Sequence, residues 1–294
     1  MNDAADVLPI KTIRANGLDF GYLEAGEGPL VLLLHGFPDT AYAFRNVLPR
    51  LAAAGFHAVA PFLRGYAPTS LAPDGNYSIH ALALDLIALI EHFGRGEKAR
   101  VVGHDWGSVI TQYAANLRPD RFERIVLSAV PHLRRFLLSP SSEQLKRSHY
   151  VFKFQAPFWA ENRLPKDDFA WMVDVLIRRW SPGWAFTEAD LAPVKANFSD
   201  PQRLKAALAY YRGIPGLLVK PAMARVAFSP VTVPTKLIYG SEDGGIGAEM
   251  FQKQEKRFRS VFELCEAKGM GHFMQHENPA WFADQVIEFL RPAA

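Results

Sequence analysis

Short apolar runs without alternation punctuate this chain, and stretches of helical spacing lie between them. Residues 30–34, Leu-Val-Leu-Leu-Leu, contain no polar position, which predicts a strand buried on both faces of a parallel sheet. Before it, residues 12–14 and 18–23 read as a strand pair around an Asn16-Gly17 turn. The spacing then predicts a helix over 41–54, a strand over 56–60 and a helix over 78–93 stopped by Gly94. A buried strand at 100–102, a helix over 108–117 ended near Pro119 and a strand over 124–130 follow. Strand and helix in this alternation predict a parallel α/β sheet.

From about residue 132 to 220 the texture changes. Four of the six tryptophans (Trp159, Trp171, Trp180, Trp184) and several prolines fall here, without a buried-strand run, which predicts an irregular helical insertion. After Pro230 the core pattern resumes, with strands expected over 235–239 and 261–265 and helices over 247–258 and 280–290. The organisation expected is a core over 1–131, an insertion over 132–222 and a returning core over 223–294. No internal repeat or low-complexity segment interrupts it.

Composition narrows the class. The chain is 49% hydrophobic and 21% charged, a soluble globular balance, and its net charge of +3 comes from scattered rather than clustered basic residues. That gives no case for nucleic acid, and Arg134-Arg135 reads as a solvated face. The single cysteine, Cys265, excludes an internal disulfide and a thiolate zinc cluster, and fits a reducing compartment. Residues 1–9 are acidic and polar where a signal peptide would be basic and then apolar. The apolar stretch 81–90 is short and broken by Asp85, so no membrane insertion is expected and the chain reads as soluble and cytoplasmic.

The chemistry concentrates where strand meets helix at Val101-Val102-Gly103-His104-Asp105-Trp106-Gly107-Ser108. Gly103-x-Asp105-x-Gly107 has the form of a nucleophile elbow, in which a strained turn lifts the central side chain above the sheet. Capping of the following helix by Asp105 is the plain alternative. A carboxylate at this apex restricts the reaction. Attack on an amide would give a reactive anhydride, whereas attack on a saturated carbon gives an alkyl ester that water can hydrolyse. Asp105 therefore points to carbon–oxygen or carbon–halogen cleavage.

Ester hydrolysis needs a base, and His272 follows the last strand behind Gly269-Met270-Gly271, in the chain order nucleophile, acid, histidine. His276 is the rival. The acid is expected after the strand that ends at Tyr239-Gly240, where Asp243 and Glu242 both qualify. Backbone N–H groups of Phe37, in His35-Gly36-Phe37-Pro38, and of Trp106 are the expected oxyanion donors. A cis bond before Pro38 would fix a tight turn there.

On these residues, with Arg64-Gly65-Tyr66 and Gly240-x-x-Asp243, the chain resembles the α/β-hydrolase superfamily. Within it the chain is similar to the epoxide hydrolases, which stand close to the haloalkane dehalogenases. The resemblance covers nearly the whole chain. It implies a mostly parallel eight-stranded sheet flanked by helices, with residues 132–222 as a helical cap. It also implies two cap tyrosines that hydrogen-bond the epoxide oxygen, and Tyr150 and Tyr211 match their positions, with His149 and Tyr210 as neighbours. The expected reaction opens a small apolar or aromatic epoxide with water, giving a vicinal diol, without metal or organic cofactor. A haloalkane or haloacid dehalogenase is the alternative, and a catalytically silent lidded binding protein a third reading. A dehalogenase pattern often has Asn where Phe37 stands, and a fluoroacetate-type enzyme would have Arg in place of Trp106. Nothing in the sequence decides the oligomeric state, and a homodimer stays open.

Overall fold

The computed structural model describes residues 8–291, so most of the N-terminal stretch read as unlike a signal peptide lies outside the described residues. The apolar runs join in one sheet: β1 (Lys11–Ala15), β2 (Leu18–Ala25), β3 (Leu30–Leu34), β4 (His57–Pro61), β5 (Ala99–His104), β6 (Phe122–Ser128), β7 (Thr235–Gly240) and β8 (Phe262–Ala267). Their order is β1-β2-β4-β3-β5-β6-β7-β8. The first two pairings are antiparallel and the other five parallel. Strands β3, β5 and β7 are buried at every position, which is why their sequences lack alternation. Edge strand β8 keeps polar, part-exposed positions.

Helices Ile79–Gly94, Trp106–Leu117 and Pro279–Leu290 cover the faces. Because the crossovers are parallel, the loops after β3, β5, β7 and β8 emerge at one carboxyl edge. That brings Phe37, Asp105, Asp243 and His272 together although they are far apart in sequence.

Between β6 and β7 the chain runs through helices from Leu133–Leu138 to Pro221–Phe228, including a π-helical stretch over Met172–Ile177. The last of these straddles residue 222, the expected boundary, and core residue Asn116 donates from Nδ2 to the Val226 and Ser229 carbonyls, both at 2.9 Å. The insertion is also fastened to the loop after β4. Tyr210 donates its hydroxyl to the Arg64 carbonyl at 2.6 Å, Arg203 donates to the Thr69 carbonyl at 2.8 Å, and Ala67 N–H donates to Asn197 Oδ1 at 2.7 Å. Arg64 is itself held by Asp85 through two bonds of 2.6 and 2.7 Å, a bidentate pair that fixes the loop.

Two helices expected from spacing do not form. Over 41–54 there is a 3-10 turn at Ala41–Phe44 and a separate short helix at Leu48–Ala53. Pro49 lacks the N–H that a continuous ladder would need there. Over 247–258 only two 3-10 turns occur, Ala248–Met250 and Glu255–Arg257, separated by Lys253 at φ +58°. Gln254 turns inward, where its side-chain Oε1 accepts from His132 N–H at 2.9 Å. Among the described residues no helix is long and apolar enough to cross a membrane.

Candidate active site

Strand β5 ends at His104, and the next residue, Asp105, sits at φ +52° and ψ −117° before the chain enters helix Trp106–Leu117. Positive φ costs a non-glycine residue of order 1–3 kcal/mol, and such strain persists only where the surroundings impose it. They do so here. A Cβ on Gly103 would overlap the Gly107 backbone, and one on Gly107 would overlap the Leu34 carbonyl. Gly107→Ala is therefore expected to destabilise the fold by about 3 kcal/mol, read as a lowered denaturant midpoint. An unchanged midpoint would mean that the elbow is looser than its contacts require.

The Asp105 carboxylate takes no capping bond from the helix it precedes, so the capping alternative fails. Instead Oδ1 accepts from Phe37 N–H at 2.7 Å, across a cis Phe37–Pro38 turn. Trp106, the other expected backbone donor, is the first residue of the helix beside that carboxylate.

His272 is buried with its Nε2 at 3.6 Å from Asp105 Oδ2, beyond hydrogen-bond range, and its Nδ1 at 2.8 Å from Asp243 Oδ2. Asp243 Oδ1 accepts from Gly245 and Ile246 N–H at 2.7 and 2.9 Å, which orients the carboxylate. Glu242 is exposed, so the choice between the two acids falls on Asp243. The rival histidine, His276, is turned away and bonds Asp39 Oδ2 at 2.8 Å. Burial disfavours a charged imidazole at His272, but the negative field of Asp243 together with Asp105 outweighs it and raises its pKa to about 10.

Tyr150 and Tyr211 come from helices His149–Gln155 and Pro201–Arg212 of the insertion and are buried with ring centroids 5.9 Å apart. Burial, and then neighbouring negative groups, push both phenols well above 10, so each stays a protonated donor. The neighbouring candidates are engaged elsewhere: Tyr210 with Arg64, and part-exposed His149 with the Lys146 carbonyl at 3.1 Å. Both tyrosines line one narrow cavity with Asp105, about 40 Å³ in volume and walled by Val109, Leu133, Phe136, Leu137, Ile214 and Leu217.

Residues unmarked by sequence reasoning also support the site. His104 Nε2 donates to the His272 carbonyl at 2.9 Å, and burial, then the nearby His272, lowers its pKa to about 4, so it stays neutral. Its position inside the elbow motif was the available signal. A larger open groove lies at the opposite end of the sheet around Lys11, Glu24 and His57. Lys11 and His57 there both pair with Glu24, at 2.6 and 2.8 Å. Among the described residues no group of three or more His, Cys, Asp or Glu side chains is placed to hold a metal ion.

The family profile described as alpha/beta hydrolase fold matches residues 29–279. AB hydrolase superfamily protein YfhM of Bacillus subtilis (strain 168) is 31% identical, over 97% of this chain and 99% of that protein. An epoxide hydrolase of Caballeronia sordidicola is 30% identical, over 95% of this chain and 92% of its own length. Among solved structures, epoxide hydrolase VrEH1 from Vigna radiata superposes with a TM-score of 0.84 at 27% identity, covering 98% of this chain and 99% of that one.

Proposed function

The chain belongs to the alpha/beta hydrolase fold family, and from that membership we propose that it is an epoxide hydrolase working through an alkyl ester on Asp105. One observation carries the reading. Two buried polar atoms at the Asp105 site, Tyr211 Oη and His272 Nε2, have no hydrogen-bond partner among the described residues. Leaving such atoms unpaired costs stability, about 1–3 kcal/mol each, so their retention needs a reason. A leaving oxygen would meet Tyr211 and an attacking water would meet His272, one for each half of the reaction.

In the first half, an oxygen of Asp105 forms a bond to one epoxide carbon as the carbon–oxygen bond breaks. Tyr150 and Tyr211 donate to the departing oxygen, and one phenol proton neutralises the alkoxide. In the second half, His272 takes a proton from water, and the hydroxide adds to the ester carbonyl. The Phe37 and Trp106 N–H groups hold the oxyanion until the diol leaves and Asp105 is restored. The proton on His272 then returns to the phenolate, so every group regains its starting state. Asp243 stabilises the imidazolium formed on the way. Residues 132–222 serve as the cap that brings the tyrosines over Asp105. The apolar cavity walls suit an uncharged, apolar or aromatic epoxide.

A departing halide needs no proton, so a dehalogenase would have little use for two buried phenols. Tyr211→Phe tests this point. It is expected to slow ester formation by about ten- to a hundredfold while leaving the melting temperature unchanged or higher, because an unpaired hydroxyl is removed. Rapid-quench measurement of the ester gives the rate. Unchanged epoxide opening in this variant would move the leaving-group role away from Tyr211.

A further inference from the structure

Residues 180–184 of the insertion lie across the loops that carry Asp243 and His272. The Trp180 carbonyl accepts from His272 N–H at 2.9 Å and from Gly244 N–H, beside Asp243, at 3.3 Å. Ser181 is 1% exposed, and its Oγ accepts from Phe273 N–H at 2.8 Å. Two consecutive backbone donors at the base are thus satisfied by the insertion, while the His272 carbonyl is held from the core side by His104. At the other end of the segment, Trp184 stacks on His276 with centroids 4.4 Å apart and an interplanar angle of 18°. His276 bonds Asp39, two residues beyond Phe37.

The approach is close enough to explain two glycines. A Cβ on Gly244 would overlap the Arg179 carbonyl, and a Cβ on Gly271 would strike the Trp180 carbonyl and Ser181. Neither glycine has positive φ, so space and not backbone freedom is what requires them.

We propose that residues 180–184 position the base, with Ser181 and Trp184 as positioning residues for ester hydrolysis and not for ester formation. The inference rests on the two-step reading above. Ester formation uses Asp105, Tyr150 and Tyr211. Within the segment the Trp180 ring packs on Tyr150 at 5.0 Å between centroids, whereas Trp184 packs on Phe273 and His276, so the positioning role is assigned to Ser181 and Trp184. Hydrolysis needs His272 aligned with the ester carbonyl, and that alignment depends on a segment belonging to the same insertion as the tyrosines. Seating of the insertion on the core therefore couples substrate enclosure to assembly of the base.

The test is rapid-quench intact mass during single turnover of styrene oxide by the full-length protein, wild type and variants. Ser181→Ala leaves Phe273 N–H without its acceptor and is expected to slow ester decay about tenfold or more, with ester formation within about twofold of wild type. kcat and KM should then fall together, because the slowed step follows bond formation. Ser181→Thr keeps a hydroxyl and should restore decay. Trp184→Ala, at a half-buried position, should act in the same direction and carries the test if Ser181→Ala does not fold. Equal slowing of both steps, or no change in either, overturns the inference. Absence of any ester in wild type and in a His272→Gln variant overturns the two-step reading and this inference with it.

Discussion

Replacing His272 with glutamine is expected to stop the reaction after its first chemical step, leaving the protein as a long-lived ester. The imidazole is the sole group placed to take a proton near Asp105 among those the mechanism uses, with Nε2 at 3.6 Å from the carboxylate. General-base catalysis contributes about 10²–10⁴ in rate, so diol turnover should fall by about 10³-fold or more. Epoxide consumption should continue to one equivalent per active site. Intact mass reads the result as protein plus the whole epoxide. Steady turnover by His272→Gln at the wild-type rate would remove His272 from the mechanism.

Removing Asp105 should have a larger effect on the chemistry and a second effect on its neighbour. Asp105→Ala lacks the bond-forming atom, and turnover is expected to fall by roughly 10⁴-fold or more, as for a deleted nucleophile. In the wild type, burial resists protonation of His272, but Asp243 and Asp105 together lift its pKa to about 10 from the usual 6.5. Without Asp105 one lifting charge is lost, and the pKa should drop. The proton is bound more tightly in the folded state, so its contribution to stability is fully present below 6.5 and is lost as pH rises towards about 10. Wild-type melting temperature should fall through that window on this account, and the fall should be shallower in Asp105→Ala. NMR titration of His272 reads the shift directly; an unmoved pKa would contradict the coupling.

The same coupling has a catalytic consequence. Ester formation neutralises Asp105 as the substitution does, and so moves the His272 pKa downward, the direction a base requires. Backbone strain gives an independent comparison. Asp105→Gly should melt above Asp105→Ala, since glycine alone is at ease at φ +52°.

Much of this was legible because local chemistry and long-range topology agree. The runs at β3, β5 and β7 lack alternation because they are buried on both faces, and the glycines around Asp105 are dictated by backbone contact, Gly103 against Gly107 and Gly107 against the Leu34 carbonyl. Legibility ended where a distant partner decides. Met250, Phe251 and Phe258 are buried at spacings that mimic a helix, yet Gln254 is drawn inward by His132 from another part of the chain. Asp243 and Glu242 are adjacent and chemically alike. The difference lies in the Gly245 and Ile246 N–H groups, which receive one carboxylate and leave the other in solvent. Ser181, in Ser-Pro-Gly, reads as a loop residue, and only the folded chain sets its hydroxyl against Phe273.

The central claim is that Asp105 attacks carbon and that water then attacks the ester carbonyl, not the substrate. Single turnover of wild-type protein in ¹⁸O-labelled water, with analysis of both products, tests this most directly. The account predicts an unlabelled diol and one ¹⁸O atom in the peptide carrying Asp105, because the oxygen added to substrate comes from the carboxylate. Label in the diol and none in Asp105 would show direct attack by water and contradict the account.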